Sequence, residues 1–576
     1  MKERVSVRRV WRSAVLPMAV AGAVVGAGVV ASPASAQTYY VPVSGDLVVH
    51  GHGFGHGHGM SQYGAQGAAL AGKSWKQIVS FYYPHTALAK SLGRIRVLIT
   101  ADTTSDVIVK WASGLSVRDL GDSKVFALPQ TTGVNMWRIS PRSADPSISG
   151  VQFHDANGWH HWRVPGRGFL IGDGQFTAAR PLTLVLPDGS TRVYRGALRA
   201  ASPWVGAPFR DTVDVLRLDD YVRGVVAAEM PSSWSPAALQ AQAVAARTYA
   251  AFERRQSLHH YYQICDTTSC QVYAGVAAET TATNDAVAAT AGQIVTYNGN
   301  PAFTQFASSD GGWTSDGGQP YLIAQRDPYD GWSGNPVHNW QLTISVSALE
   351  SAYPQLGNLT AVRVTKRDGH GQWGGRVVQM TLQGSRGTVQ LTGDDLRYMF
   401  GLRSSWFSFS QTPIMRAWLK LGGSKSPLGN PASGEVPVTS SSGTPGAMQL
   451  FARGQMFWTQ SIGAQAVYGP ILPRWRRAGG IHGRLGYPTS DIMATADGGQ
   501  KARFQGGMVF YSSKTPAQPL WGPILRSYAN HHFAGSRLGY PTTKVYIIDG
   551  GLRARFEGGR ITWMTATRTI TVDFSK

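Results

Sequence analysis

The residue best placed for acid or base chemistry is Glu229, a lone carboxylate ahead of a run of unusually small side chains. Ser235 is a good N-cap, Pro236 suits a first helical turn, and the residues up to Arg255 are rich in Ala, Leu, Gln and Arg. The pattern predicts a helix, with Glu229 in the turn that leads to it. One face of this helix carries residues that let a neighbouring element pack closely: Leu239, Ala243, Ala246 and Ala250. On this evidence Glu229 is either a catalytic group or an ordinary capping or surface acid.

A second candidate site is the glycine-rich segment 50–65, in which the histidines occupy even positions: His50, His52, His56 and His58. In an extended strand they would lie on one face. No βαβ pattern accompanies the glycines, which argues against a nucleotide-binding loop. The segment is either a flexible metal-scavenging tract or part of an ordered site. The residues that follow favour order, because they predict helices at about 61–70 and 74–82 with a stop at Pro84.

The two cysteines of the chain, Cys265 and Cys270, form a third candidate site. In an exported protein an isolated pair is usually a disulfide, and a loop of this size can close one. Alternatively, His259 or His260 with both cysteines would supply three zinc ligands and leave room for a fourth. The spacing alone favours the disulfide.

A fourth candidate is the polar segment 306–316. A strand is expected to deliver residues 306–309, and Asp310 with the two glycines that follow forces a turn. Polar groups beside Trp313 and Tyr321 suit a sugar-binding cleft, because sugars present both apolar faces and hydroxyl groups. The alternative is an ordinary surface loop.

The N-terminus predicts export. Residues 1–36 hold a basic region, an apolar run at about 15–30 and the small-residue cleavage signal Ala34-Ser35-Ala36, and no later stretch resembles a membrane span. Removing them takes away five positive charges and one negative, which lowers the net charge from +21 to about +17. A basic exported protein suits anionic polymers. Without a dense Lys/Arg run or a nucleic-acid module, we expect a cell-envelope partner and no nucleic acid.

The remaining sequence is strand-rich and then repetitive. Residues 94–205 predict strands at IRVLIT, VIVKWA, WRVPG, LTLVLPDG and RVYRGALRA, with no chemistry above background. From about Pro413 a motif recurs as LGNP at 428–431, LGYP at 485–488 and LGYP at 538–541. Each copy is followed by a predicted strand: FARGQMFW from Phe451, FQGGMVFY from Phe504 and FEGGRITW from Phe556. Because no acid/base constellation recurs there, binding is a better prediction than catalysis.

Four segments closely resemble the sporulation stage II protein D and amidase-enhancer (LytB) family, over roughly Val48 to Phe407. They are AAEMPSSWSPAALQAQAVAARTYA at 227–250, QVYAG at 271–275, FASSDGGWTSD at 306–316 and GHGHGMSQYGA at 55–65. The C-terminal units are similar to the LGFP repeats of actinobacterial wall-associated proteins. We therefore expect a signal peptide (1–36), a domain of this family (37–410) and wall-binding repeats (411–576). The family domain divides into 37–93, 94–205 and the Glu229-containing core 206–410.

The order of the motifs departs from the usual family. There, the GHGxGMSQ segment lies at the C-terminal end, after a stretch like GDDLRYMFGLRSSWF at 393–407. We expect an α+β domain, strand-rich and circularly permuted, whose histidine segment returns in space to the cleft of Glu229. A β-rich repeat domain follows, propeller-like in arrangement, although three units are fewer than a closed propeller would want.

The resemblance implies a lytic transglycosylase that acts on peptidoglycan strands stripped of stem peptides, with Glu229 as the acid and base. It also implies substrate contacts at these residues: His56, His58, Met60, Ser61, Gln62, Arg247, Ser308, Ser309, Gly311, Gly312 and Thr314. Four other carboxylates could act as a partner to Glu229, but no motif supports that role for any of them: Asp219, Asp220, Asp310 and Asp316. A non-catalytic wall-binding enhancer of a separate amidase is the alternative, since the LytB name implies one.

Two chemical expectations accompany the resemblance. No cofactor is required, but some family members carry a Cys/His zinc site here, which makes zinc on His259, Cys265 and Cys270 as well favoured as the disulfide. A carboxyl group near a helix N-terminus is stabilised in its charged form, whereas a general acid must be protonated. We therefore expect Met230 and Trp234 to bury Glu229 against an apolar wall.

Overall fold

The computed structural model describes residues 37–42 and 45–575, so the export signal predicted at 1–36 lies outside the described residues. Ten α-helices occur within these ranges: α1 Gln62–Leu70, α2 Trp75–Tyr82, α3 Leu218–Glu229, α4 Pro236–Gln256, α5 Thr281–Ala289, α6 Val346–Ala352, α7 Gly393–Phe400, α8 Pro413–Lys420, α9 Ile471–Arg477 and α10 Gly522–Asn530. None of the helices in the described residues is long and apolar enough to cross a membrane.

The helices predicted around the candidate sites are confirmed. Ser61 caps α1 by accepting a hydrogen bond from the Gly64 amide at 2.9 Å, and Ser74 begins α2 with a reciprocal capping box. Helix α4 begins at Pro236, but Ser235 makes no side-chain cap and instead donates its amide to Gln66 at 2.8 Å. The expected turn at Glu229 is wrong, because Glu229 is the last residue of α3.

Helix α4 lies at the centre of the larger core. It packs against α1, α2, α3 and α5, and its alanines from Ala238 onward are buried, as the small-residue face predicts. Two large sheets surround this helical group. One runs Ile264–Cys265, Arg94–Leu98, Asp211–Arg217, Ala197–Ala201, Gly174–Thr177, Ser116–Asp119 and Val125–Ala127. The other runs Gly158–Trp162, Asp145–Asp155, Met136–Arg142, Val107–Lys110, Leu182–Val185 and Thr191–Tyr194.

Most strands predicted in 94–205 are present. IRVLIT, VIVKWA and LTLVLPDG contain strands, and RVYRGALRA divides into two strands. Gly196 lies at that division, and a Cβ there would collide with the buried Asp214. WRVPG is an exception, since only Trp162 belongs to a strand.

The front of the chain pairs with its later part. The strand Asp46–His52 lies between Asn339–Ser345 and Phe407–Phe409. A four-stranded sheet places Gln37–Tyr40 beside Leu359–Arg367, followed by Val377–Gly384 and Thr388–Leu391. A separate hydrophobic core joins Tyr39, Leu47 and Val49 to residues 340–409. The histidine segment therefore returns to the later half, as expected, while the circular permutation itself stays a prediction.

Three small sheets complete this part of the fold. Met60–Ser61 pairs in parallel with Phe306–Ala307. Ala87–Lys90, Gln293–Tyr297 and Asn300–Pro301 form the second, and Asp46–His52 with its two partners forms the third. The parallel pair brings the second candidate site, the glycine-rich segment, beside the fourth.

The repeats form three separate four-stranded sheets, each preceded by one of the helices α8, α9 and α10. Their strands are Pro431–Thr439, Pro445–Phe451, Gly454–Thr459 and Gly463–Tyr468; Met493–Ala494, Gln500–Phe504, Gly507–Tyr511 and Gln518–Leu520; and Tyr546–Ile548, Gly551–Phe556, Gly559–Met564 and Ile570–Phe574. The FARGQMFW-type runs were predicted as single strands, but each spans a turn, because its phenylalanine ends one strand and a glycine begins the next.

The propeller-like arrangement is wrong for the described residues. No hydrogen-bonded strand pair joins the three sheets into a closed ring, and three units are fewer than propellers use. Neighbouring units are instead linked by the motif tyrosines. The hydroxyl of Tyr487 donates to carbonyls of the preceding sheet, and that of Tyr540 pairs with Thr495 and Asp497.

Candidate functional site

Glu229 is half-buried at the C-terminal end of α3, with both carboxylate oxygens hydrogen-bonded. The amide of Val272 donates to Oε1 at 3.0 Å, and the side-chain amide of Gln62 donates to Oε2 at 3.1 Å. Val272 belongs to the QVYAG motif and Gln62 to GHGHGMSQYGA, 167 residues before Glu229. Three of the motifs singled out in the sequence therefore meet at this carboxyl group.

The pKa of Glu229 is raised above its ordinary value. Burial is the largest cause, and it outweighs the hydrogen bonds from Val272 and Gln62, which lower the pKa. The end of α3 acts in the same direction as burial, because a helix C-terminus disfavours negative charge. The expected conflict with a helix N-terminus is thus eased, since Glu229 is the last residue of one helix and the next helix starts seven residues later.

Glu229 opens into a pocket of about 330 Å³. Its lining comes from six parts of the chain: residues 54–56, Gln62, Glu229, Tyr249, 268–270 and 305–308. The apolar wall consists of Phe54, Tyr249 and Phe306. Met230 and Trp234, expected to form this wall, lie outside the lining; Met230 is buried in the core and Trp234 packs on Tyr63.

Of the substrate residues that the resemblance implied, His56, Gln62 and Ser308 line the pocket with Glu229. The His58 ring packs against His56 with ring centroids 4.7 Å apart, and the His58 amide donates to Nδ1 of His56 at 2.9 Å. Burial lowers the pKa of His56 to about 3, so this imidazole is neutral at physiological pH. His56 therefore adds no positive charge beside Glu229.

The other implied substrate residues lie outside the pocket lining. Met60 is fully buried, and Thr314 donates its hydroxyl to the Ile323 carbonyl. Arg247 is fully buried in an ion pair with Asp219 at 2.6 Å and also donates to carbonyls at Ala243, Val287 and Gln293. These bonds occupy its guanidinium, so its position indicates a role in holding the fold.

The four histidines of the glycine-rich segment divide between different surroundings. His50 bonds Ser410 at 2.8 Å, and His52 lies between Trp373 and Trp406. His56 and His58 alone approach the pocket. The expected single face is therefore not formed, because the strand ends at His52 and glycines with positive φ follow at 53, 55, 57 and 59.

Asp330, which the sequence did not single out, accepts hydrogen bonds from several separate segments of the chain. This fully buried carboxylate accepts hydrogen bonds from the hydroxyls of Ser61 at 2.6 Å and Ser309 at 2.8 Å. It also accepts from the Gly311 amide at 3.1 Å and lies 2.7 Å from Nδ1 of His338. Its donors come from both halves of the domain, a convergence that local sequence patterns do not reveal.

Asp310, Asp327 and Asp330 are the carboxylates in the described residues whose oxygens cluster closely enough to hold a metal ion, all within 4.8 Å of one another. Burial and the neighbouring carboxylates raise the pKa of Asp310. Tyr82 donates to Asp327 at 2.6 Å, and Asp330 is occupied by its own donors. A shared proton is sufficient to explain this group.

Cys265 and Cys270 are joined in a disulfide, with Cα atoms 5.5 Å apart. Their sulfurs are then not thiolates, and the side chains of His259 and His260 are exposed. Zinc on His259, Cys265 and Cys270 stays a prediction for the reduced chain. The disulfide is close to the candidate chemistry, because Cys270 lines the pocket and Val272 is two residues further on.

Comparisons with known proteins agree with these motifs. The family model for the stage II sporulation protein matches residues 210–297, and the LGFP repeat model matches 428–483 and 485–536. Stage II sporulation protein D of Bacillus amyloliquefaciens is 31% identical over 297 residues, which cover 46% of this chain and 77% of that protein. The amidase enhancer of Bacillus subtilis (strain 168) is 39% identical over 136 residues, covering 23% of this chain.

The chain spans only 18% of the length of that amidase enhancer, and 62% of the stage II sporulation protein D of B. subtilis, to which it is 31% identical. Among solved structures, the extracellular domain of a one-component system from B. thetaiotaomicron covers 84% of this chain. At 10% identity and a TM-score of 0.11, this likeness carries no argument about the fold. The sequence matches and the shared motifs place this chain in the stage II sporulation protein D family, with LGFP repeats at its C-terminal end.

Proposed function

We propose that this protein is an exported lytic transglycosylase that cleaves peptidoglycan glycan strands stripped of stem peptides, with Glu229 as the acid and base. The observation that supports this best is a half-buried carboxyl group with a raised pKa that opens into a pocket. Within the described residues that line this pocket, Glu229 is the one carboxylate. A glycoside hydrolase normally needs two.

The other carboxylates considered from the sequence are engaged elsewhere. Asp219 pairs with Arg247 and Asp220 with Arg217, Asp310 is buried in the acid cluster, and Asp316 is exposed. Among the residues that the structure describes, no second carboxylate therefore lines the pocket to activate a water molecule. A reaction that uses the substrate's own hydroxyl group needs none.

The proposed reaction moves one proton out of Glu229 and one proton back. Protonated Glu229 donates to the glycosidic oxygen as the bond from that oxygen to C1 of muramic acid breaks. The resulting carboxylate then takes the proton of the C6 hydroxyl, whose oxygen attacks C1 and closes an anhydro ring. Burial favours the acid before the first step, and the donors Val272 and Gln62 stabilise the carboxylate between the steps.

Incubation with denuded glycan strands tests the proposal, with anhydro-muramic ends measured by mass spectrometry. Glu229→Gln should lower the rate by about 10²- to 10⁴-fold, which is the usual contribution of a general acid/base group. Asp316→Asn is the matched control, since it changes an exposed acid, and should retain activity. Absence of anhydro product from the parent protein, or full activity in Glu229→Gln, would exclude the enzyme.

A non-catalytic amidase enhancer is the second candidate, and the similarity to a protein of that name favours it. In that case the protein would release no anhydro ends but would raise the rate of a purified N-acetylmuramoyl-L-alanine amidase on whole peptidoglycan. The same Glu229→Gln variant separates the two, because an enhancer should keep its effect without this carboxyl group.

The LGFP repeats support attachment to a cell-envelope polysaccharide and hence a secreted, wall-associated location. The chain should co-sediment with purified cell walls, and a chain ending at Gln411 should not, provided that circular dichroism shows it folded. Equal sedimentation of both would reject the repeats as the anchor.

A further inference from the structure

A second hollow, of about 340 Å³, shares no lining residue with the Glu229 pocket. We call it the tryptophan hollow; its lining is His52, Gly311, Gly312, Trp313, Arg326, Asp327, Pro328, Gly331, His338, Gly371, Gln372 and Trp406. Nothing in the acid/base chemistry of Glu229 uses these residues.

The same two segments build both hollows. Phe54 and Ser308 line the Glu229 pocket, whereas His52 and Trp313 line the tryptophan hollow. A β-bridge between Phe54 and Ser309 holds the segments together between them. His52 and Phe54 are two residues apart, which limits the distance between their Cα atoms to about 7 Å, so the two hollows are neighbours.

The walls of the tryptophan hollow are aromatic. The His52 ring lies 4.7 Å from the centroids of both Trp373 and Trp406, and Trp313 lies 5.3 Å from His370. Gly371 permits this approach, because a Cβ there would collide with the rings of Trp406 and Trp313. Trp373 adopts a φ of 59°, a strained conformation for a bulky residue that only surrounding structure can maintain.

Oriented polar groups face the same space. Nδ1 of His338 lies 2.7 Å from buried Asp330, so its hydrogen is committed there and Nε2 is left for another partner. Gly331 and Gly312 lie against this imidazole and place no side chain over it. Arg326 is exposed at the rim, and Gln372 bonds His52 at 2.7 Å.

We propose that the tryptophan hollow is a saccharide subsite, which holds a sugar of the glycan strand beyond the bond presented to Glu229. Trp313 offers an apolar face for a sugar ring, while His338 and Arg326 offer hydrogen bonds to its hydroxyl or acetamido groups. The inference rests on the proposed function, because it names how that same strand is held. Binding energy from a remote sugar fixes the register of the strand at Glu229.

Strand length distinguishes this subsite from a merely structural cluster. A long denuded strand can occupy both hollows at once, whereas a single sugar such as N-acetylglucosamine can occupy only one. Substitutions in the tryptophan hollow should therefore weaken the binding of long strands much more than the binding of the single sugar.

The test measures dissociation constants by calorimetry on the full chain carrying Glu229→Gln, which prevents turnover. Added Trp313→Ala should weaken binding of long denuded strands about tenfold, and Trp313→Tyr should restore most of it. Trp204→Ala is the control, since Trp204 is 55% exposed and lines neither hollow. Arg326→Ala, a change at an exposed position, decides the outcome if Trp313→Ala does not fold.

The possible results separate the two proposals. Tight strand binding that neither Trp313→Ala nor Arg326→Ala weakens would overturn the subsite and leave the transglycosylase proposal intact. Failure of the Glu229→Gln chain itself to bind denuded strands would overturn both. Equal weakening of N-acetylglucosamine and the long strand would also overturn the subsite, because it would indicate general damage to the fold.

Discussion

Asp330→Ala is the substitution that most directly tests how the site is assembled. The carboxylate is completely buried and joins Ser61, from the front of the chain, to Ser309, Gly311 and His338. Alanine removes the acceptor while the donors stay in place. Buried donors without partners are what make such a change costly.

The size of the effect follows from the donors that remain. The hydroxyls of Ser61 and Ser309 and the Gly311 amide lose their principal acceptor, whereas Asn335 keeps a 2.7 Å bond to the Asp330 carbonyl. Breaking a buried charged network by removing one partner destabilises by about 3–5 kcal/mol. Asp330→Asn keeps one oxygen, and the serine hydroxyls can rotate to accept from its new amide, so we expect about 1–3 kcal/mol.

Thermal and urea unfolding at pH 7 measure these effects, with Asp316→Asn as the exposed control. The functional consequence should reach Glu229, because Ser61 precedes Gln62, whose amide bonds the Glu229 carboxylate. Under conditions where Asp330→Asn is folded, its turnover of denuded strands should therefore fall more than its KM rises. A midpoint for Asp330→Ala within error of the parent, or no lower than that of Asp330→Asn, would refute the reasoning.

Three further predictions concern the pocket and the repeats. Gln62→Met removes a donor that lowers the pKa of Glu229, so the alkaline limb of the activity profile, where the acid form is lost, should move to higher pH; an unmoved limb would contradict this. Serine at both Cys265 and Cys270 should cost about 2 kcal/mol and lower activity, because the closed loop leads directly to the amide on Glu229; zinc analysis of reduced and untreated protein should accompany that assay. Tyr487→Phe should lower the free energy of unfolding of the repeats by about 1 kcal/mol, and no change would deny its bridging role.

Much of the local structure follows from the sequence. The caps Ser61 and Ser74, the proline at the start of α4 and the periodic LGxP motif are short-range signals, and each predicted its element. Glu229 was placed in a turn because nothing local marks the end of α3, whose C-cap, Met230, is an ordinary residue rather than a glycine.

The site depends on contacts that local patterns do not contain. Gln62 lies 167 residues from Glu229, and Asp330 lies 269 residues from Ser61. Arg247 was expected at the substrate because it belongs to a recognised motif, yet its buried bonds to Asp219 and three carbonyls turn it away from the pocket. Spacing along a helix indicates which face a residue occupies, but not what that face meets.

By itself, the sequence determined the identity of the candidate acid, the helices around it, the repeats and the family, because those depend on residue types and short spacings. The tertiary structure alone decided the surroundings of Glu229: its burial and raised pKa, its donors Gln62 and Val272, and the separation of the histidines between two hollows. The physical reason is that desolvation and hydrogen-bond geometry depend on atoms brought together from distant parts of the chain.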